Sequence, residues 1–169
     1  MKRILYTVTI LLLVFNAVSA QFSKAQLEVA GLTCSLCSKS TENQLKKLDF
    51  IDSIYTDLTH ATFILYFKKD KTVDFYRIKQ KVEDAGFSIV MLKTTYKFDD
   101  FSIDANGHFN YQNAVFYCMN KTPQLLNGKI VLQIVDKGFL DKKDYKEQVK
   151  QWPVISEKQG NSIIYHVVF

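Results

Sequence analysis

The sequence predicts an α+β fold, in which a half of mixed strands and helices precedes a smaller, mostly β half. Residues 26–33, "QLEVAGLT", alternate as in a half-buried strand, and from Ser35 the apolar residues recur at helical spacing. Beyond residue 97 the chain contains several short segments in which apolar and polar residues alternate, a pattern that predicts strands. Hydrophobic residues make up 47% of the 169 residues and aromatic residues 14%, which favours a packed core.

Six elements are predicted in the first half, in the order strand, helix, strand, strand, helix, strand. Their ranges are 26–33, 35–48, 50–58, 61–67, 73–85 and 87–96. Thr72 is the expected N-cap of the second helix, with Asp74 in its first turn, and Gly86 is its C-cap. This order is the split βαβ, or ferredoxin-like, arrangement: a four-stranded antiparallel sheet with both helices on one face.

The second half begins where the chain turns polar, at Lys97 to Asp100. A hairpin is expected at Asn106-Gly107, and "NAVFYCMN", "GKIVLQIVD" and "NSIIYHVVF" predict further strands. One helix fits between Phe139 and Trp152, ended by Pro153. The predicted domains are therefore 21–96, ferredoxin-like, and 97–169, a small β barrel or sandwich whose spacing permits a five-stranded barrel of the oligonucleotide- or oligosaccharide-binding type.

The first twenty residues have the pattern of a secretory signal peptide. Lys2 and Arg3 precede an apolar run from Ile4 to Phe15, and small residues lead up to Ala20. We expect cleavage after Ala20 and a secreted, periplasmic protein. An uncleaved membrane anchor is the alternative, and no later segment is long and apolar enough to cross a membrane.

Charge and motifs exclude several classes of function. The net charge of +5 is mild, and no basic stripe with interleaved aromatic residues favours nucleic acid. The sequence contains no Gly-rich phosphate loop, no His-Glu-x-x-His and no Gly-x-Ser-x-Gly. The carboxylate pairs Asp99-Asp100 and Asp141 with Asp144 have no convergent partners. We therefore expect a binding protein rather than an enzyme.

Cys34 and Cys37 form a CxxC pair between the first strand and the first helix, in "GLTCSLC". In an oxidising compartment such a pair can form a stable disulfide, although so short a loop stabilises little. It can also exchange electrons as in thioredoxin, or bind a soft metal ion. The chain has three cysteines, so at least one thiol is left outside any intramolecular pairing.

The first half resembles the heavy-metal-associated domain of copper chaperones, metal-exporting ATPases and periplasmic mercury-binding proteins. The resemblance covers roughly residues 26–91. Its carriers are "GLTCSLC", Leu45 and Leu48 in the helix, Ile51 after it, and "VEDAGF" at the end of the second helix. Departures from the family pattern are Leu32 in place of Met, Thr41 in place of Ile or Val, and Phe50 in place of Gly.

The resemblance implies that Cys34 and Cys37 bind a soft ion as thiolates, with Cu(I) first and Hg(II) or Zn(II) as alternatives. A two-coordinate ion would leave room for a third ligand from a partner, such as a metal transporter or another metal-binding protein. Supporting roles are implied for Gly31, which lets the loop bend, for Thr33, which hydrogen-bonds within it, and for Phe87, which shields the ion.

Cys118, Met119 and His108 are candidates for a second copper site or for a third ligand to the first. A buried structural Cys118 and a gap-filling Met119 are the alternatives. Alternation places Cys118 and Met119 on opposite faces of a strand, which argues against a shared ion. His60, in a turn, and His166, in a strand, are expected to be structural.

Overall fold

The computed structural model of the protein describes residues 21–103, 107–120, 125–152, 158–159 and 162–169. The helices are α1 (Ser35–Leu45), α2 (Phe75–Asp84) and α3 (Lys142–Gln151). The strands are β1 (Phe22–Ala30), β2 (Ile51–Asp57), β3 (Thr62–Phe67), β4 (Ser88–Ser102), β5 (His108–Tyr111), β6 (Ala114–Cys118), β7 (Leu125–Ile134), β8 (Lys158–Gln159) and β9 (Ser162–Val168).

The first half is ferredoxin-like, which confirms the predicted fold class. Its strands are antiparallel in the order β2-β3-β1-β4, and α1 packs against α2. Each helix turns an apolar face towards the sheet, with Leu45 of α1 and Ile78 and Val82 of α2 buried. Strand β1 lies between β3 and β4 in the sheet, so the loop that follows Ala30 leaves from the middle of the sheet, where the strands end.

Helix α2 begins two residues later than the sequence predicts. Asp74, not Thr72, is its N-cap, because the Asp74 carboxylate accepts hydrogen bonds from the backbone N–H groups of Tyr76 (2.9 Å) and Arg77 (3.2 Å). These groups have no partner within the helix, so a carboxylate at the cap satisfies them. The negative charge also suits the positive end of the helix dipole.

Strand β4 is longer than predicted and runs through the polar stretch that begins at Lys97. Lys97 and Asp99 are exposed while Phe98 is buried, so the polar run is the solvent face of a two-faced strand. A bulge between Phe98 and Phe101 accommodates Asp100, whose φ is 45°. The predicted domain boundary at 96/97 thus falls inside a strand, and the division into two domains stays a prediction.

The strands of the second half extend the sheet of the first half. β7 pairs with the free edge of β4, and β9, β6 and β5 follow in that order, with β6 parallel to β9. The sheet curls back on itself, so that β4 and β5, which lie at opposite ends of this series, approach each other. The ring centroids of Phe98 in β4 and Phe109 in β5 are 5.1 Å apart. The tight turn falls at Gln112-Asn113 between β5 and β6; Asn106 of the expected hairpin and Pro153 lie outside the described residues.

Phe22 joins the cores of the two halves. Its ring is almost fully buried and contacts Phe75 of α2 at 4.9 Å and Tyr96 of β4 at 4.7 Å. It also contacts Tyr111 of β5 at 4.9 Å and Phe116 of β6 at 5.2 Å. Edge-to-face packing of this kind adds to the hydrophobic burial of each ring, so helix α2 and the second half share one continuous apolar cluster.

Candidate metal centre

The loop that carries the cysteines begins with a tight turn at Gly31. Gly31 has a φ of 83°, a conformation that only glycine adopts at little cost. The backbone N–H of Thr33 donates a 2.9 Å hydrogen bond to the Gly31 carbonyl, which closes the turn. A Cβ atom at position 31 would lie 3.5 Å from the ring of Phe87, so the loop packs directly on this aromatic side chain.

Cys34 is the N-cap of α1. Its backbone is extended, with φ −145° and ψ 157°, and its sulfur accepts a 3.2 Å hydrogen bond from the backbone N–H of Cys37. Cys34 is exposed and Cys37 is half-buried, one helical turn further on. Both sulfurs therefore lie at the N-terminal end of α1, where free N–H groups and the helix dipole favour negative charge.

The two thiols differ in acidity. The pKa of the Cys34 thiol lies below its ordinary value, because its sulfur accepts hydrogen bonds from the Cys37 thiol and from the Cys37 backbone N–H. The pKa of the Cys37 thiol lies above its ordinary value, because its proton is held by Cys34 and because burial disfavours the charged form. As the pH rises, Cys34 therefore loses its proton first, and Cys37 keeps its proton to higher pH.

The residues beneath the loop fix its backbone. The Thr41 hydroxyl, which is buried, donates a 3.2 Å hydrogen bond to the Cys37 carbonyl, and the backbone N–H of Ser38 donates at 3.2 Å to the Cys34 carbonyl. Leu32 and Phe87 are half-buried and pack against the hydrophobic core. Thr41, a polar residue on the buried face of α1, thus has its hydroxyl satisfied by the Cys37 carbonyl one turn earlier in the same helix.

The predicted supporting residues Gly31, Thr33 and Phe87 surround the cysteine loop, whereas the other candidate ligands lie elsewhere. Cys118 is buried in the apolar core on β6, four strands away from β1 in the sheet. Within the described ranges no third His, Cys, Asp or Glu joins Cys34 and Cys37 in a cluster suited to a metal ion. Two sulfurs are therefore the ligand set that this part of the chain offers.

Met119 and His108 are also away from the cysteine loop. Met119 directly follows β6 and is partly exposed, while Cys118 is buried, which agrees with the expected placement on opposite faces. His108 begins β5, and its ring lies 5.5 Å from that of Tyr117 on β6.

His60 is largely exposed in the turn after β2, where its Nδ1 lies 2.7 Å from the Asp57 carboxylate.

His166 belongs to a buried pair that the sequence did not indicate. Its Nδ1 lies 2.6 Å from one oxygen of Asp136, and its backbone N–H donates to the other at 2.9 Å. Neither side chain is exposed. Asp136 follows β7 at the end of "QIVD", a sequence typical of the end of a strand, which gives no sign of a buried pair. The pairing of β7 with β9 brings Asp136 next to His166.

Residues 26–88 match the family model of the heavy-metal-associated domain. A probable copper-exporting P-type ATPase of Archaeoglobus fulgidus is 33% identical over 64 residues, which are 38% of this chain and 8% of the ATPase. The probable copper-transporting ATPase HMA5 of Arabidopsis thaliana is 35% identical over 72 residues, 42% of this chain and 7% of the ATPase. The chain thus matches less than a tenth of either relative.

Among solved structures, a CopZ metallochaperone is similar over its whole length and over 40% of this chain, with 26% identity and a TM-score of 0.37. The strand order of the first half itself shows its ferredoxin-like fold. Across the described ranges, the helices are all too short or too polar to span a bilayer.

Proposed function

We propose that the protein binds Cu(I) through Cys34 and Cys37 and passes it to a partner by ligand exchange. The observation that carries this proposal is the placement of both thiols at the N-terminus of α1 in a heavy-metal-associated domain. The helix end favours the thiolate form, and thiolates are the ligands that soft ions prefer.

Copper is favoured over the other soft ions by the relatives. Two similar proteins are described as a probable copper-exporting P-type ATPase and a probable copper-transporting ATPase. Two thiolates also suit the low coordination number of Cu(I), whereas structural Zn(II) sites have four ligands. Hg(II) and Zn(II) remain the competitors that a binding experiment has to include.

Exposure of the site supports transfer rather than storage. Cys34 is open to solvent, and Leu36, between the two cysteines, is 80% exposed. A partner's thiolate can therefore approach an ion held by this pair without any unfolding of the loop. A closed four-ligand site would retain its ion, whereas an open site permits exchange.

Export from the cytoplasm is the second part of the proposal, and it rests on residues 1–20, which lie outside the described residues. The test is to determine the N-terminus of the protein in cell fractions by mass spectrometry. A mature chain that begins at Gln21 in the periplasmic or extracellular fraction supports the proposal. An intact leader in the membrane fraction would replace it with the anchored alternative.

The metal proposal is tested by a Cu(I) titration of the reduced protein against a competing chelator. We expect one tightly bound ion per chain, lost in the Cys34→Ser/Cys37→Ser variant and unchanged in Cys118→Ser. Parallel titrations with Hg(II) and Zn(II) rank the ions. Equal Cu(I) affinity after loss of both thiols would contradict the proposed site.

A thiol–disulfide function is the second candidate, and the acidity of Cys34 favours it. An exposed thiol with a lowered pKa is the usual attacking group in disulfide exchange. Equilibration with glutathione buffers followed by alkylation measures how readily the pair oxidises. A reversible Cys34–Cys37 disulfide, together with no competitive Cu(I) binding, would favour this function over metal transfer.

A further inference from the structure

A groove of about 850 Å³ opens beside the cysteine loop, at the junction of the two halves. Ala30, Ser88 and Val90 form one wall, and Leu140 and Tyr145 form the other. Ala30 directly precedes Gly31, and Ser88 directly follows Phe87. The groove therefore begins at the two residues that define the base of the cysteine loop. One of its walls lies outside the heavy-metal-associated domain.

The wall formed by Leu140 and Tyr145 is held against β4 by contacts of the preceding turn. Asp136, fixed by its two contacts with buried His166, accepts a 3.0 Å hydrogen bond at its carbonyl from the Phe139 backbone N–H. Phe139 is fully buried and its ring lies 5.4 Å from that of Tyr76. Leu140 then forms an isolated bridge with Met91 of β4. The groove is thus a preformed feature of the fold, which lowers the entropic cost of binding.

The rim of the groove is positively charged. Four exposed lysines line it: Lys137, Lys142, Lys143 and Lys146. None of the four forms an ion pair with another described residue. The carboxylates of the lining are Glu83 and Asp141, and Asp141 is engaged as the N-cap of α3, where it accepts from the N–H groups of Lys143 and Asp144.

An occupant complementary to this groove has apolar side chains flanked by carboxylates. Its apolar part would fill the space between Val90, Leu140 and Tyr145, and its carboxylates would meet the lysines at the rim. The position of the groove favours a protein as occupant. Two proteins that exchange an ion must bring their ligands to the same point, so the surface next to the Cys34 loop lies within the contact area.

We propose that this groove binds an acidic, amphipathic segment of the protein with which the chain exchanges its metal ion. The proposal rests on the proposed function, since it identifies the partner of the same site. It assigns a role to the second half: α3 and the turn before it supply the lysines of the rim together with Leu140 and Tyr145, and the first half supplies the cysteines and the wall that contains Val90.

The test is fluorescence anisotropy of the purified protein with three labelled peptides, one alternating Leu and Glu, one alternating Leu and Lys, and one alternating Ser and Glu. We expect binding of the Leu-Glu peptide only, with an affinity that falls as salt is raised. The Lys142→Glu/Lys143→Glu variant should bind it at least about tenfold more weakly. Acidic residues at the N-terminus of α3 suit the helix dipole, so this variant should remain folded.

The matched control is Lys69→Glu/Lys71→Glu, which makes the same charge change in the connection between β3 and α2, where both lysines are exposed. It should bind the Leu-Glu peptide as the parent protein does. Equal weakening in both variants, or equal binding of the Leu-Lys peptide, would show that net charge alone governs binding and would overturn the proposal.

Two further measurements separate this proposal from the metal site. The Cys34→Ser/Cys37→Ser variant should bind the peptide unchanged, and the Lys142→Glu/Lys143→Glu variant should keep its Cu(I) affinity. No peptide binding by a protein that binds Cu(I) overturns the groove proposal alone. Peptide binding by a protein that does not bind Cu(I) overturns the metal partner as occupant. Lysine-dependent binding to phosphatidylglycerol vesicles without peptide binding would assign the groove to a lipid surface instead.

Discussion

The hydroxyl of Tyr165 on β9 donates a 3.1 Å hydrogen bond to the Asp74 carboxylate, the N-cap of α2. The same hydroxyl accepts a 3.1 Å hydrogen bond from the backbone N–H of Phe75. Tyr165 is almost fully buried, and burial raises the pKa of its phenol, with the Asp74 charge adding to this shift. Strand β9 therefore completes the start of a helix in the ferredoxin-like half.

Removal of this hydroxyl should destabilise the whole protein. Tyr165→Phe leaves the ring packing intact but removes one hydrogen bond to a charged group and leaves the Phe75 N–H without that acceptor. The expected loss is about 1–3 kcal/mol of unfolding free energy, measured by urea denaturation. Tyr55→Phe, at a largely exposed tyrosine, should change stability little. Equal stability of the two variants would contradict a structural role for the hydroxyl.

Gly31→Ala should weaken metal binding as well as stability. The positive φ of Gly31 costs an alanine about 1–2 kcal/mol, and any relaxation moves the cysteine loop against Phe87. Gly128→Ala is a matched control, since Gly128 has a φ of 79° with no neighbour within 4 Å of an added Cβ and lies on β7. Both variants should lose similar stability in urea, while Cu(I) competition should show reduced affinity for Gly31→Ala alone.

Cu(I) affinity should rise with pH in two stages. Below the lowered pKa of Cys34 both thiols are protonated, so binding releases two protons and the apparent affinity changes about a hundredfold per pH unit. Between that pKa and the raised pKa of Cys37 only one proton is released, so the slope falls to about tenfold per unit. Above both values the affinity should be flat.

The measurement is a chelator competition series across pH, paired with ultraviolet absorbance of the metal-free protein to follow thiolate formation. Cys37→Ala removes the side chain that donates to Cys34 and should raise the pKa of Cys34 towards its ordinary value. A single two-proton transition in the parent protein would contradict the asymmetry of the pair.

Cys118 should matter for stability and not for metal binding. Its side chain is buried in the apolar core, so Cys118→Ser places a hydroxyl there at an expected cost of about 1–3 kcal/mol. Cys118→Ala, which buries no polar atom, should cost less than Cys118→Ser. Thermal denaturation gives the order of stabilities, and Cu(I) stoichiometry should stay at the parent value in both. A fall in the number of Cu(I) ions bound per chain would indicate that Cys118 is a metal ligand.

The Asp136–His166 pair should be one of the most sensitive points of the second half. Asp136→Asn replaces an acceptor oxygen with an amide that faces donors from His166, in a site closed to water. The expected loss is about 2–4 kcal/mol by urea denaturation. Asp144→Asn, at an exposed position of α3, serves as the control and should be near neutral.

The sequence predicted the first half well because its signals are local. Alternating and helical periods gave the six elements, and the resemblance of "GLTCSLC" to a known loop pointed to Cys34 and Cys37. In the structure Gly31 and Thr33 form the turn before Cys34, and Phe87 packs beside Gly31; their roles at a metal ion stay a prediction. The predicted N-cap Thr72 was wrong by two residues, because Asp74 is an equally good cap and only the observed hydrogen bonds to its carboxylate identify it as the N-cap.

Non-local pairing could not be predicted in the same way. The polar residues Lys97 to Asp100 look like a linker when only composition is considered, but they belong to β4. The partners of β4 on β7 are 23 to 40 residues further along the chain. The Asp136–His166 pair and the groove next to Ala30 likewise depend on which strands meet. Period-2 patterns specify the faces of a strand and not its neighbours.

Strand β4 has β1 on one edge and β7 on the other. Any opening that exposes its backbone must therefore break hydrogen bonds to both halves at once. Amide hydrogens of Thr94 and Thr95, which lie where both ladders overlap, should exchange with solvent only through global unfolding. Damage to the second half would then shorten the lifetime of the folded ferredoxin-like half, even where it leaves the cysteine loop untouched.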